Sequence, residues 1–391
     1  MKRFFLIGTL ILQVFAAFAQ SAEIEVYGEL YNGSSTWQGK FVVLQDIVAA
    51  NTDGAVEFYA KAFDDLIMIY RSLKYGSTEW ASANSIAHIL IAELVSAGYE
   101  AAGDNLWRCY QFFTDPTVQA EALVALGELK IESHYADVEQ VVNRLNARAD
   151  TKNRENDETV AIGGFTALQK YGKPEGYLAA FVGSESWYHE FVKQSARSVV
   201  AALLQDPARL LPDVILSNRY SHLLEQKALL YVDGASLDNG QKADIASQSL
   251  LQGWWSYSSD LRAALELANL RRLALQMIRK YGSNGTKETY SAMTRSLREG
   301  ALDEKIDSIL ALGSLNTSES TTILLDYAQL LNENRRIANS QPIDDRLMRS
   351  IVPALGASNA PRVKDTLRQT QAVPWSNTVL NLVREVLAKL G

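Results

Sequence analysis

The chain has 391 residues, a formal net charge of −7 and one cysteine. The acidic balance argues against nucleic acid and anionic membranes as binding partners, and a lone cysteine excludes an intramolecular disulfide. Because a chain of this length can bury a large apolar core, we expect a protein that is stabilised by packing.

The first residues predict export. The stretch MKRFFLIGTLILQVFAAFA begins with two basic residues, continues as an uncharged apolar run and ends in the small-x-small sequence Ala17-Phe18-Ala19. This is the pattern of a secretory signal peptide. We therefore predict a signal peptide at 1–19, cleavage after Ala19 and a periplasmic or secreted protein with no later membrane insertion. An uncleaved N-terminal anchor is the alternative, although the apolar run is shorter than the roughly 20 residues that a membrane span needs.

The segment 20–36 differs from the rest of the chain. The stretch AEIEVYGELY alternates in part between apolar and polar residues, and a Gly-Ser-Ser-Thr sequence follows it closely. Partial alternation predicts an extended N-terminal arm, with a short edge strand as an option. From residue 37 onward the apolar residues recur at the helical period, so we predict one all-helical domain at 37–391.

The stretch Asp115–Lys130 gives the clearest helix. Asp115 is suited to cap a helix N-terminus, and Pro116 takes the first helical position, where a missing N–H costs nothing. A second amphipathic helix is predicted at Tyr135–Leu145, so the two form a helical hairpin that needs neighbours to bury its apolar faces. The apolar stripe of the first helix consists of Val118, Ala122, Leu123, Ala125, Leu126 and Leu129.

Degraded copies of this helix recur along the chain. Asp157–Tyr171 repeats the aspartate, the valine three residues later and an Ala-Leu pair, while Ala301–Leu315 keeps an Ala-Leu-Gly sequence near its end. Asp344–Gly356 repeats the aspartate, an aliphatic residue and Ala-Leu-Gly at the same offsets. The spacings from Asp115 to Asp157 and from Ala301 to Asp344 are both a little over forty residues, and the gap from Asp157 to Ala301 is about three such periods. A period of about 40–47 residues is typical of helix-pair solenoids.

These copies resemble HEAT repeats of the short bacterial kind. The resemblance rests on Asp115, Val118 and Ala125-Leu126-Gly127, and on Asp344, Leu347 and Ala354-Leu355-Gly356. It implies an all-α solenoid of stacked helical hairpins with a right-handed stack and a concave surface. In this family that surface generally binds other proteins.

The resemblance also implies where contacts with a partner lie. In HEAT stacks the second helix of each pair lines the concave side, so we expect the polar residues of Tyr135–Leu145 to contact a partner. These residues are Glu139, Gln140, Asn143 and Arg144. A plain solvated surface is the alternative interpretation of the same residues.

A further candidate contact is the pair Trp254 and Trp255, which falls at a predicted helix end. Aromatic clusters of this kind form protein-binding hot spots or sugar-stacking platforms. The alternative is that the rings fill the space between stacked helices, as bulky aromatic side chains often do.

The sequence offers no motif for catalysis, a cofactor or a metal. Its four histidines are far apart and none is paired at helical spacing, and there is no Gly-x-Ser-x-Gly elbow. We therefore expect no catalytic residue, no cofactor and no metal ligand. The predicted function is a non-enzymatic exported scaffold that binds a protein partner in the cell envelope. The alternative is an α/α-toroid that acts on carbohydrate, or a glycan-binding protein.

Overall fold

The computed structural model describes residues 24–50, 54–148, 152–217, 219–337, 341–358 and 360–390. Within these ranges the chain is all-helical and contains no strand, as the sequence predicts. The predicted signal peptide at 1–19 lies outside the described residues. Among the helices of the described part, none has the length and apolar character needed to span a bilayer.

The helices are numbered in chain order. They are α1 (residues 24–33), α2 (Trp37–Ala50), α3 (Ala55–Tyr70), α4 (Thr78–Ser96), α5 (Gly103–Phe112), α6 (Pro116–Glu128), α7 (Tyr135–Asn146), α8 (Arg154–Tyr171), α9 (Tyr177–Ser184), α10 (Glu190–Leu203), α11 (Pro207–Leu216), α12 (His222–Gly234), α13 (Asn239–Trp255), α14 (Leu261–Tyr281), α15 (Lys287–Glu299), α16 (Leu302–Leu315), α17 (Ser318–Arg336), α18 (Pro342–Gly356), α19 (Pro361–Gln371) and α20 (Asn377–Lys389).

The chain divides into two compact units, unit 1 at Met1–Gln205 and unit 2 at Asp206–Gly391. In unit 1 the even-numbered helices α2 to α10 pack side by side as a first layer, and α3 packs on α5 and α7 on α9 in a second layer. In unit 2 the even helices α12 to α20 and the odd helices α11 to α19 form two such layers. Each unit is thus a solenoid-like stack of helices. The predicted single domain at 37–391 stays a prediction.

The helix α6 shows why the clearest repeat could be predicted from the sequence. The side chain of Asp115 accepts hydrogen bonds from the backbone N–H of Thr117 at 2.9 Å and of Val118 at 3.3 Å, which confirms the predicted cap. The apolar stripe that follows is buried from Val118 to Leu129. The cap therefore fixes where the helix begins, and the apolar stripe fixes which face of it is buried.

The other two aspartates of the repeat have different roles. The helix α8 begins at Arg154, so Asp157 lies in its first turn and pairs with the side chain of Arg148 instead of capping. Asp344 lies in the first turn of α18 and accepts a hydrogen bond of 2.8 Å from the backbone N–H of Gln341, as in a capping box. Both positions still place a carboxylate near the positive end of a helix.

The Ala-Leu-Gly sequence is the contact between successive repeats. A Cβ atom added to Gly127 in α6 would lie 2.6 Å from the carbonyl oxygen of Ala167 in α8. One added to Gly313 in α16 would lie 2.7 Å from the Cβ of Ala354 in α18. In both cases the glycine of one copy meets the alanine of the next Ala-Leu pair. The motif thus sets how closely first-layer helices approach, since only glycine leaves room for a neighbouring backbone.

The predicted extended arm at 20–36 is wrong in its described part, because residues 24–33 form the helix α1. Tyr31 is buried at 2% exposure and packs edge-to-face on Phe58 of α3, with the ring centroids 5.3 Å apart. Ile24 and Tyr27, which are half-buried, lie at helical spacing from Tyr31 on the same face of α1. The alternation in AEIEVYGELY is short enough to fit either period, and packing against α3 selects the helix.

Candidate functional site

A groove in the second layer of unit 2 separates α13 from α15 and encloses about 350 Å³. Its floor is apolar and its rim carries charged and hydroxyl groups. The lining residues are Leu251, Trp254, Trp255, Lys287, Glu288, Ser291, Ala292 and Arg295. Both predicted tryptophans therefore lie at this groove, which makes it the candidate site.

Trp254 is clamped into the protein. Two guanidinium groups contact its indole, with Arg271 at 4.0 Å and Arg295 at 4.4 Å from the ring centroid. Its Nε1–H donates a hydrogen bond of 2.8 Å to the Oγ of Ser296. Two cation–π contacts and a satisfied N–H fix the ring between helices. For Trp254 the structure therefore favours the packing interpretation over a contact with a ligand.

A buried ion pair with Glu304 fixes Arg271 in its position against Trp254. Arg271 forms two parallel hydrogen bonds to Glu304, from Nε at 2.8 Å and from Nη2 at 3.0 Å, and its Nη1 donates to the carbonyl oxygen of Gly253 at 2.9 Å. The Glu304 side chain is 1% exposed and that of Arg271 is 12% exposed. This bidentate geometry fixes the guanidinium plane against the indole.

Trp255 has the opposite environment, since 71% of its surface is exposed. The exposed side chains Tyr257, Leu261 and Leu265 follow it where α13 leads into α14. Tryptophan and tyrosine are enriched among the side chains that dominate protein interfaces, so the exposed Trp255 and Tyr257 make this segment a candidate interaction site. The sequence pattern identified the tryptophan pair but could not say which ring of the two is free.

The wall of the groove opposite Trp255 was missed by sequence reasoning. Lys287, Ser291 and Arg295 recur every four residues along α15 and line the groove. That spacing puts them on one face of the helix. The signal was present in the sequence, but nothing in it showed that this face meets α13.

A second groove lies on the other side of α15, between that helix and α17, and also encloses about 350 Å³. Arg298, Asp326, Tyr327 and Glu333 are among its lining residues. Burial raises the pKa of Tyr327 to about 12, with a further contribution from Asp344. The second layer of unit 2 thus offers two neighbouring grooves with α15 as the ridge between them.

The predicted contact residues of α7 lie in unit 1 and have unequal environments. Gln140 and Asn143 are exposed. Arg144 donates a hydrogen bond of 2.9 Å from Nη2 to the hydroxyl of Tyr110 in α5. Glu139 is half-buried, and burial together with the nearby carboxylate of Glu175 raises its pKa. The four residues therefore share a helix, and three of them, Gln140, Asn143 and Arg144, are exposed to solvent.

Each of the four histidines is paired with a carboxylate. The Nδ1–oxygen distances lie between 2.5 and 2.9 Å. The pairs are His88–Glu121, His134–Asp137, His189–Glu158 and His222–Glu225. Across the described residues, no three His, Cys, Asp or Glu side chains converge in a way that could hold a metal ion. The histidines thus join neighbouring structural elements, or two turns of one helix.

The His88–Glu121 pair, which links α4 to α6, predicts a pH-dependent stability. The hydrogen bond to Glu121 raises the pKa of His88, burial opposes this in part, and Asp115 is a further carboxylate whose charge acts on the ring. The stabilisation is therefore fully present below the unfolded pKa of about 6.5 and is lost as pH rises through the raised folded pKa. We expect His88→Gln to destabilise unit 1 at acidic pH by about 0.5 kcal/mol, a small value because the ring is partly exposed.

Urea denaturation of both proteins across the pH range from acidic to mildly alkaline checks this expectation. The difference in unfolding free energy between wild type and His88→Gln should shrink as pH rises. A difference that grows with pH, or that does not depend on pH, would contradict the ion pair as the cause.

Comparison with known proteins finds similarity among solved structures. No family model and no curated protein matches the chain. Among solved structures, human deoxyhypusine hydroxylase in complex with glycerol is similar at 15% sequence identity and a TM-score of 0.28. The alignment covers 85% of this chain and 97% of that chain.

This similarity corrects one prediction from the sequence. We predicted a protein that is not an enzyme, but a solved structure that the chain resembles is that of an enzyme. Activity depends on a site and not on a fold, so a stack of helices does not by itself exclude catalysis. A likeness with a TM-score of 0.28 assigns no activity to this chain.

Proposed function

We propose that this protein is an exported binding or scaffold protein of the cell envelope that contacts a protein partner through the α13–α15 groove. The observation that carries the proposal is the contrast between the two tryptophans. Trp254 is clamped by Arg271 and Arg295, while Trp255 is 71% exposed at the rim of the same groove. Interface hot spots are enriched in tryptophan, tyrosine and arginine.

The clamp gives the groove the rigidity that binding requires. A partner pays less conformational entropy when it meets side chains that are already fixed. The Trp254 ring, the Arg271–Glu304 pair and the hydrogen bond to Ser296 hold α13, α14, α15 and α16 together beneath the groove. Trp255 is thus an exposed aromatic side chain carried by helices that are fixed relative to one another.

Export and membership of the HEAT-repeat family are part of the proposal. The basic and apolar start of the chain supports export, because it has the pattern of a signal peptide. The inter-repeat contacts of Gly127 and Gly313 support the HEAT resemblance, because the repeated motif coincides with a repeated contact. Proteins of this kind generally act by binding other proteins.

A glycan is the second candidate ligand of the same groove. An exposed indole beside Lys287, Glu288 and Ser291 is able to stack on a sugar ring and to hydrogen-bond its hydroxyl groups. Glu288 is the one carboxylate among the residues that line this groove. Hydrolysis of a glycosidic bond generally needs a pair of carboxylates, so this groove favours carbohydrate binding over cleavage.

The replacement Trp255→Ala is expected to weaken partner binding about thirtyfold, which corresponds to the roughly 2 kcal/mol of an interface hot spot. The measurement is a pull-down from the native envelope with wild-type and mutant bait, followed by a titration of the partner that is recovered. A glycan array probed with the same two proteins tests the second candidate.

Tyr75→Ala provides the matched control, because Tyr75 is an aromatic residue of unit 1 with 72% exposure. It should leave binding unchanged. If Trp255→Ala and Tyr75→Ala behave alike, the groove is not the binding site. If wild type binds glycans but recovers no protein, the partner is a carbohydrate.

A further inference from the structure

A larger cavity, of about 450 Å³, lies between α1 and α3 in unit 1. Its walls are apolar, with Ile24 and Gly28 from α1 and Phe58 and Ala62 from α3. Phe58 also packs edge-to-face against the ring of Tyr31, with the ring centroids 5.3 Å apart. This cavity belongs to neither layer of unit 2 and plays no part in the function proposed above.

The rim of this cavity is acidic. Glu25, Glu29, Glu57 and Asp65 line it together with one cation, Lys61. All four carboxylates are exposed, and none forms an ion pair within 4 Å in the described part of the chain, although the charge of Asp65 acts on Lys40. An unpaired group of like charges repels itself and attracts a positively charged ligand. The charge of the rim therefore selects a basic partner.

The shape of the cavity fits one face of a helix. The lining residues run from Gly54, directly before α3, through Phe58 and Ala62 to Asp65, which is three helical turns or about 16 Å of axis. Apolar residues on the floor and acids on the rim follow the same period. Grooves of this kind accept the apolar face of an amphipathic helix through anchors at i, i+3 or i+4, and i+7.

Tyr31 gives an independent observation on the same wall. The side chain lines the cavity and is 2% exposed, yet its hydroxyl has no hydrogen-bond partner among the described residues. The ammonium of Lys40 lies 4.7 Å from the centroid of this ring. A buried polar group without a partner is rare in a well-packed wall.

We propose that the α1–α3 cavity binds a basic amphipathic helix of a second protein. Its apolar face packs on Phe58 and Ala62, and its lysine or arginine residues pair with the carboxylates of the rim. The partner is recognised by charge and by helical spacing. Failure of this proposal leaves the Trp255 groove untouched, because the two sites lie in different units.

The test is a fluorescence-anisotropy titration of the mature protein with a labelled, designed Leu/Lys amphipathic peptide and with a Leu/Glu peptide of the same pattern. We expect the Leu/Lys peptide to bind and the Leu/Glu peptide to fail. The double replacement E29K/E57K should weaken binding of the Leu/Lys peptide tenfold or more, and added salt should weaken binding to wild type.

Glu385→Lys is the control, because it changes the sign of an exposed charge of α20 in unit 2 that lines neither the cavity nor the α13–α15 groove. It should bind the Leu/Lys peptide like wild type. Circular dichroism establishes that every variant keeps its helices. Absence of binding, equal binding of both peptides, or equal effects of E29K/E57K and Glu385→Lys would each overturn the proposal.

Discussion

Replacing Arg271 by alanine is expected to destabilise unit 2 by about 3–5 kcal/mol. The replacement leaves the carboxylate of Glu304, which is 1% exposed, in the interior without its partner. It also removes one of the two cations that hold the Trp254 ring and a donor to the carbonyl oxygen of Gly253. Urea denaturation followed by circular dichroism and tryptophan fluorescence measures the loss.

The adjacent residue supplies the control for this experiment. Arg272 also forms ion pairs, to Asp307 at 2.9 Å and to Asp303 at 3.6 Å, but its side chain is 35% exposed. Exposed pairs contribute about 1 kcal/mol or less, so Arg272→Ala should have a small effect. Similar losses of unfolding free energy for the two variants would show that burial of the Arg271–Glu304 pair does not account for the destabilisation.

Replacing Gly127 by alanine is expected to destabilise unit 1 by about 1–3 kcal/mol through overpacking. The added Cβ would lie 2.6 Å from the carbonyl oxygen and 2.7 Å from the Cα of Ala167, both of them backbone atoms. The helix α8 must therefore move away from α6. In an exposed helix interior the same replacement would stabilise by about 1 kcal/mol, so the sign of the effect is the diagnostic result.

Gly234→Ala is the control for the sign of this change in stability. Gly234 is the last residue of α12, and a Cβ added there would meet nothing within 4 Å. This variant should be neutral or slightly stabilised when unfolding is followed by circular dichroism. If Gly127→Ala were also neutral or stabilising, the close approach of α6 and α8 would not depend on the glycine of the repeat.

Local signals made most of the fold predictable. A cap such as Asp115, an apolar stripe and a glycine that faces the next repeat act within one helix or between neighbouring copies. The helix α1 escaped prediction because AEIEVYGELY satisfies two periods at once, and its packing on Phe58 decides between them. The early start of α8 at Arg154 escaped because Asp157 pairs with Arg148 instead of capping.

The candidate site was less predictable, because its geometry joins distant parts of the chain. The sequence identified Trp254 and Trp255 as a pair. Arg271, Arg295 and Ser296, which fix Trp254, come from α14 and α15. Which of two adjacent rings is clamped and which is free depends on those helices, so the pattern of the pair alone cannot show it.

Site-specific photo-crosslinking in the cells that make the protein tests the central claim most directly. A photo-reactive phenylalanine derivative is placed at position 255, and a second protein carries it at Met68, an exposed residue of unit 1 with 68% exposure. If the α13–α15 groove is the partner site, position 255 yields a discrete crosslinked protein that position 68 does not yield. No crosslinked protein from position 255, or the same products from both positions, would contradict it.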